Sequence, residues 1–204
     1  MGEEIHSYKT IEAASEGQYR VLGSRHLSYA YPVNSEEEIK QLIDQLWKDN
    51  HNATHVCYSW RLGFDKTRYR INDDGEPSGT AGKPIFGQIQ SFDLTNILIA
   101  VVRYYGGTKL GTGGLIDAYK TASKLAIEAA TIVEKPVKDH FKVNFSYEQM
   151  PNVMKLLKEL DFEKLNATFE DRGEVEFLLA VRAHDSFMKA IEEMNLDMKF
   201  LGRR

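Results

Sequence analysis

Ile97-Leu98-Ile99-Ala100-Val101-Val102-Arg103-Tyr104-Tyr105-Gly106-Gly107-Thr108-Lys109-Leu110-Gly111-Thr112-Gly113-Gly114 is the stretch on which the fold turns. Its first six residues are apolar without alternation, the pattern of a strand covered on both faces. Its glycines then let the chain leave the strand through a tight connection. From about Gly113 the period becomes helical, with Leu115, Ala118, Ala122, Leu125, Ala129 and Val133 on one face. A face so rich in small residues is suited to lie close against a sheet. Glu134-Lys135-Pro136 is expected to end that helix, and a domain boundary is expected there, giving domains 1–134 and 135–204.

Working towards the N-terminus, Thr54–Leu62 alternates, with Val56, Tyr58, Trp60 and Leu62 on one side and His55, Cys57, Ser59 and Arg61 on the other. Thr67–Ile71, Gln18–Leu22 and Arg25–Val33 read as further strands. Ser35, followed by Glu38, is a capping signal for a helix carrying Ile39, Leu42, Ile43, Leu46 and Trp47. A brief helical piece is expected over Ile85–Ser91. Beyond Pro136 the order is strand (Lys138–Tyr147), helix (Pro151–Leu160), strand (Leu165–Asp171), strand (Glu174–Arg182), helix (Asp185–Met194) and strand (Leu196–Leu201). That is the βαββαβ, ferredoxin-like order.

The chain has 204 residues, 42% of them hydrophobic, enough for one large core or two small ones. Its single cysteine, Cys57, excludes an intramolecular disulfide framework and points to a reducing, cytoplasmic setting. No stretch reaches the roughly 20 apolar residues that a spanning helix needs, so no membrane partner is expected. With 26 basic and 30 acidic side chains, the net charge of −4 argues against a global polyelectrolyte interaction. Nucleic-acid binding would have to be local, and between Arg61 and Lys124 the basic residues do outnumber the acidic ones.

Two segments carry chemistry. Asp73-Asp74-Gly75-Glu76-Pro77-Ser78-Gly79-Thr80-Ala81-Gly82-Lys83-Pro84 gathers carboxylates, hydroxyls and a lysine in a turn-forming loop. Oxygen ligands suit a hard cation such as Mg²⁺, whereas glycine N–H groups suit an anion; ordinary turn chemistry explains the same residues without a ligand. In Arg103–Gly114 the free N–H groups at a helix start, with Arg103 and Lys109, form an anion cradle or simply a close-packed connection. Lys109 is followed by Leu110, which excludes a Walker loop, and the third glycine of a dinucleotide fingerprint is missing. His55 and Cys57 share a strand face but fall short of a zinc site. Neither Ser59 nor Ser78 has an assignable base. Arg61, Arg68 and Arg70, with Tyr58, Trp60 and Tyr69 between them, are candidates for a nucleic-acid face.

The two glycine-rich segments, with Ala53-Thr54-His55-Val56-Cys57-Tyr58 upstream, resemble the IMPACT/YigZ family over about residues 24–130. The resemblance implies an α+β protein. Its N-terminal part would be a two-layer α/β domain of the ribosomal-protein and elongation-factor-G-domain-IV type, and its C-terminal part a ferredoxin-like domain. It also implies translational control, through RNA, the ribosome or a translation-associated protein, and a binding protein rather than an enzyme. In two places this chain departs from the family pattern: Leu22-Gly23 and His26 flank Ser24-Arg25, and Asp117 stands where an Arg is common.

The candidate ligand residues are Asp73, Asp74, Glu76, Ser78, Thr80, Lys83, Arg103, Lys109, Gly111 and Gly113, expected to border one cleft. The alternative is an enzyme acting on a phosphorylated or anionic small molecule there. Only that alternative calls for a cofactor, Mg²⁺.

Overall fold

In a computed structural model, which describes residues 5–170 and 172–204, the chain divides into two compact units. One is Tyr8–Lys135; the other comprises Pro136–Arg204 with the segment ending at Ser7. The expected strand ending at Asp171 is seen as far as Phe169, and Asp171 itself lies outside the described residues.

The first unit opens with β1 (Ser7–Ile11), β2 (Ser15–Val21) and β3 (Ser24–Pro32), followed by α1 (Glu36–Asp49). It continues through β4 (His55–Leu62), β5 (Arg68–Asn72), α2 (Gly82–Ser91), β6 (Ile97–Tyr104), α3 (Gly111–Glu128) and β7 (Ile132–Pro136). An antiparallel sheet in the order β2-β3-β6-β4-β5 places the apolar strand β6 at its centre. Ile97 to Val102 are fully buried because both sheet faces are covered. On one face Ile85, Ile89, Leu115, Ala122 and Ala126 of α2 and α3 pack on Cys57, Ile99 and Val101. On the other, Ile39 and Leu46 of α1 meet Trp60, Leu98, Val56 and Ala100. The two-layer expectation thus describes the sheet with α2 and α3, and α1 adds a cover on its opposite face. Each apolar side chain buried in this way contributes on the order of 2 kcal/mol.

Ser35 caps α1, accepting from the Glu38 N–H at 3.2 Å, while Glu38 reaches back to the Asn34 N–H at 2.8 Å. The expected long final helix is shorter than its periodicity suggests. It ends at Glu128, and Ile132–Pro136 is instead β7, paired with β1 in a separate two-stranded sheet. Thr131-Ile132-Val133 is a run of β-branched residues, stiff at χ1 and better suited to a strand. Val133 therefore lies on no helical face, and Leu125, expected to face inward, is exposed.

The second unit contains β8 (Lys138–Phe145), α4 (Met150–Glu159), β9 (Glu163–Phe169), β10 (Gly173–Ala180), α5 (His184–Glu193) and β11 (Asp197–Arg203). Its antiparallel sheet has the order β11-β8-β10-β9, so by rank in the chain 4-1-3-2, the ferredoxin-like arrangement. One face packs Phe141, Val143, Val175 and Phe177 under Val153, Leu157, Phe187 and Ile191. Side chains on the other face pair across strands: His140 with Glu176 at 2.6 Å, Lys142 with Glu174 at 2.7 Å, and Lys138 with Glu163. Asp139 is fully buried and accepts from Arg203 Nε and His184 Nδ1 at 2.6 and 2.7 Å. No helix among the described residues is long and apolar enough to cross a membrane.

Candidate functional site

The register of the five-stranded sheet aligns His26 of β3, Arg103 of β6 and His55 of β4 as directly paired neighbours in one row. The next row on that face is Ser28, Val101 and Cys57. Strand alternation thus sends a set of polar residues under α2 and α3 rather than into solvent. The loop 73–81 closes over the open end of this row, and its three carboxylates all turn inward.

Asp73 accepts backbone N–H bonds from Gly79 (2.8 Å), Ala81 (3.0 Å) and Gly82 (2.8 Å). It occupies the anion nest of its own loop and caps α2, whose neighbouring residue Ala81 has no side chain able to do so. Asp74, held at φ 45°, accepts the Val56 N–H at 2.6 Å, and its carbonyl accepts from His55 Nδ1 at 2.7 Å. Glu76 is 8% exposed and Arg103 5%; Arg103 Nη1 donates to Glu76 Oε1 at 2.5 Å, and Tyr119 of α3 donates to the same oxygen at 2.8 Å. His55 Nε2 stands 3.9 Å from that oxygen. Thr80 is buried and donates to Pro77 O at 2.6 Å.

Cys57 Sγ lies 3.0 Å from Asp73 O and 3.3 Å from Tyr119 Oη. Burial pushes the Cys57 thiol far up, and burial followed by the neighbouring Cys57 does the same to Tyr119. That shift favours the neutral thiol, the poorly nucleophilic form. His26 is fully buried, stands edge-on to Tyr119 at 5.2 Å, and its ring nitrogens make no hydrogen bond of good geometry, the Tyr19 backbone giving only a weak one. Burial, and then Arg103, lowers its pKa to about 4. Among the described residues, no group of three or more His, Cys, Asp or Glu side chains is placed to hold a metal.

The two glycine-rich segments therefore meet through Glu76, Arg103 and Tyr119, but as an internal network rather than a cleft bordered by free carboxylates. Ser78, Lys83, Lys109, Gly111 and Gly113 remain exposed. Lys83 and Lys109 make no ion pair among the described residues, and α3 starts without a side-chain cap. Gly106 is required by close approach: a Cβ there would sit 1.9 Å from Gly23 C, so the loop after β6 lies directly on the β2–β3 turn. Ser24 Oγ and Thr54 Oγ1 accept from the Gly106 and Tyr105 N–H groups, both at 3.2 Å, pinning the loop.

The expected basic face on β4 and β5 is corrected at Arg61. That residue is 6% exposed, its Nε donates to Leu94 O at 2.6 Å, and burial lowers its pKa, so its guanidinium is inside the fold. Arg68 is exposed but tied to Glu36 at 2.8 Å. Arg70 shares a groove of about 370 Å³ with Glu36, Glu37 and Asp44 of α1. The acidic first turn of α1 offsets this stripe.

Two residues that the sequence reading did not propose as ligands complete the network, Tyr119 and His26. Tyr119 was discoverable in principle, as a lone polar-tipped aromatic on an otherwise small-residue helix face.

Residues 22–127 match the model of the Impact N-terminal domain. The chain is 30% identical over 190 residues to the IMPACT family member YvyE of Bacillus subtilis, covering 93% of this chain and 88% of that protein. It is 32% identical over 149 residues to the IMPACT family member YigZ of Escherichia coli, covering 72% and 73%. A crystal structure described only as that of a hypothetical protein superposes over 98% of this chain and 99% of that one, with a TM-score of 0.77 at 26% identity.

Proposed function

The chain belongs to the IMPACT family, and from that premise we propose that it is a binding protein of the translation apparatus that contacts RNA, in a cytoplasmic setting. One observation carries the reading. Asp73, Asp74 and Glu76 are consumed by backbone N–H groups, Arg103 and Tyr119, so the exposed charge of the two glycine-rich loops is that of Lys83 and Lys109. The two segments thus expose lysine rather than carboxylate charge, and Lys109 adjoins the uncapped start of α3, which favours phosphate.

The same observation weakens the enzymatic alternative. Metal-assisted chemistry on an anionic substrate would need Asp74 and Glu76 to face it, yet both are bonded inside the protein. The Cys57 thiol is likewise disabled by burial.

Co-sedimentation with ribosomes and with bulk RNA at low and raised salt tests the reading. Salt-sensitive, nuclease-sensitive association that falls on Lys83→Glu and Lys109→Glu is the expected result. Absence of association at low salt, or association indifferent to nuclease and to both reversals, overturns it.

A further inference from the structure

The face of the five-stranded sheet opposite α2 and α3 is only partly covered, because α1 packs on β4 and β6. On the β2–β3 side that face remains open along a depression of about 360 Å³ lined by Glu16, Gln18, Leu27 and Tyr29. Towards the β2–β3 turn the open face becomes basic. Arg20 of β2 and Arg25 of β3 are directly opposite each other in the antiparallel ladder. Like charges so placed repel, and neither has a carboxylate partner among the described residues. Arg20 meets only the neutral amide of Gln18, whose oxygen accepts from it once the amide is turned. Arg25 lies over the Tyr104 ring at 4.4 Å.

The aromatic surface then wraps round the end of the sheet, with Tyr104 on the face of Arg25 and Tyr105 on the side of Arg103. Tyr104 donates to Asn50 at 2.7 Å and is thereby fixed. Tyr105, 47% exposed, has the buried Arg103 guanidinium 5.7 Å from its ring centre, leaving its outer side available. The loop carrying Tyr105 is pressed against Gly23 through Gly106, so Leu22, 61% exposed, belongs to the same edge. Lys109 follows at the end of that loop. Glu16 and Asp49 act on Tyr29 and Tyr31 further along the strands, and Glu76 near Tyr105 is already bonded to Arg103.

Basic groups lacking carboxylate partners, interleaved with accessible tyrosine rings on a rigid sheet end, match the chemistry of a single-stranded polynucleotide, with its backbone phosphates and unpaired base faces. A duplex would hide its base faces from Tyr105. We propose that Arg20, Arg25, Tyr104, Tyr105 and Lys109, edged by Leu22, form a binding surface for single-stranded RNA. Arg20, Arg25 and Lys109 take the phosphates, and a base stacks on Tyr105. This rests on the RNA-binding reading above and names the surface and strand state that the reading leaves open. The outer sheet face of the second unit is a poorer platform, since its charges are already paired and β8 presents Lys138, His140, Lys142 and Asn144 there.

The test is fluorescence anisotropy of the full chain with labelled oligouridylate, with a duplex of equal length and with an oligoglutamate peptide, over a salt series and beside ribosome co-sedimentation. Tyr105→Ala is expected to weaken oligouridylate binding by about ten-fold. Arg20→Gln and Arg25→Gln should each reduce the log–log salt slope by roughly 0.7. The duplex should bind more weakly than the single strand, and Lys155→Gln on α4 should change nothing. Thermal melting confirms that each variant folds; Arg20 and Tyr105 are exposed, so both remain usable if Arg25→Gln does not. If RNA or ribosomes bind but all three variants match the wild type, the surface is refuted while the RNA-binding reading stands. If the wild type binds neither RNA nor ribosomes at low salt, that reading fails and takes the surface with it. Oligoglutamate bound as tightly as oligouridylate, regardless of Tyr105→Ala, also refutes it.

Discussion

At Leu22 the backbone holds φ 45°, followed by φ 78° at Gly23, the pair of left-handed residues that a two-residue hairpin turn needs. Asn-Gly satisfies that turn, and leucine, with its branched side chain largely in water, does so at a cost. Leu22→Asn is expected to raise stability by roughly 0.5–1 kcal/mol in urea denaturation, while weakening RNA binding if the apolar edge contacts the strand. The opposite balance holds at Glu76. Glu76→Gln leaves the Arg103 guanidinium buried without its counter-ion, and stability should fall by about 3 kcal/mol in the same measurement. The residue types in loop 73–81 were legible as polar and conformationally special. The direction they face was not, because it depends on Val56, Arg103 and Tyr119, which lie 18 to 43 positions away in sequence.

The elements themselves were readable wherever a single physical signal dominated. The unbroken run Ile97–Val102 announced a strand covered twice, and Ser35 with Glu38 announced α1. Ser35→Ala should cost about 1 kcal/mol, seen as a lowered melting temperature, because it removes the acceptor of the Glu38 N–H. Signals failed where two competed: small residues after Gly113 favoured helix as far as Val133, and the β-branched run at Thr131–Val133 won once β1 offered a partner. No local pattern marked the contact between the β2–β3 turn and the loop after β6, since it joins residues that are 82 positions apart. Its consequence is nevertheless specific. Gly106→Ala meets the backbone of Gly23 and Ser24 rather than a flexible side chain, so loop and turn must separate. We expect a loss of roughly 3 kcal/mol in chemical denaturation, with Ser24→Ala, which removes only one hydrogen bond, costing far less.

For the molecule as a whole, the buried His26, paired with Arg103 in the sheet, couples stability to acidity. His26 is surrounded by Arg103 across the strand, Tyr119 from α3, and Glu76 from the loop, with His55 beyond Arg103. Burial and the guanidinium disfavour its proton, while Glu76 and the Tyr19 backbone oppose them less strongly. The folded protein therefore keeps His26 neutral down to about pH 4, whereas the unfolded chain takes up the proton at about 6.5. Between these values the unfolded state binds more protons, so stability is fully present above about 6.5 and is lost as pH falls towards 4. The loss attributable to this one group is roughly 3 kcal/mol. Urea midpoints measured across that window should decline for the wild type. The decline should be shallower for His26→Leu, which removes the titrating ring from the core. Equal slopes for the two proteins would mean that acid acts on groups other than His26.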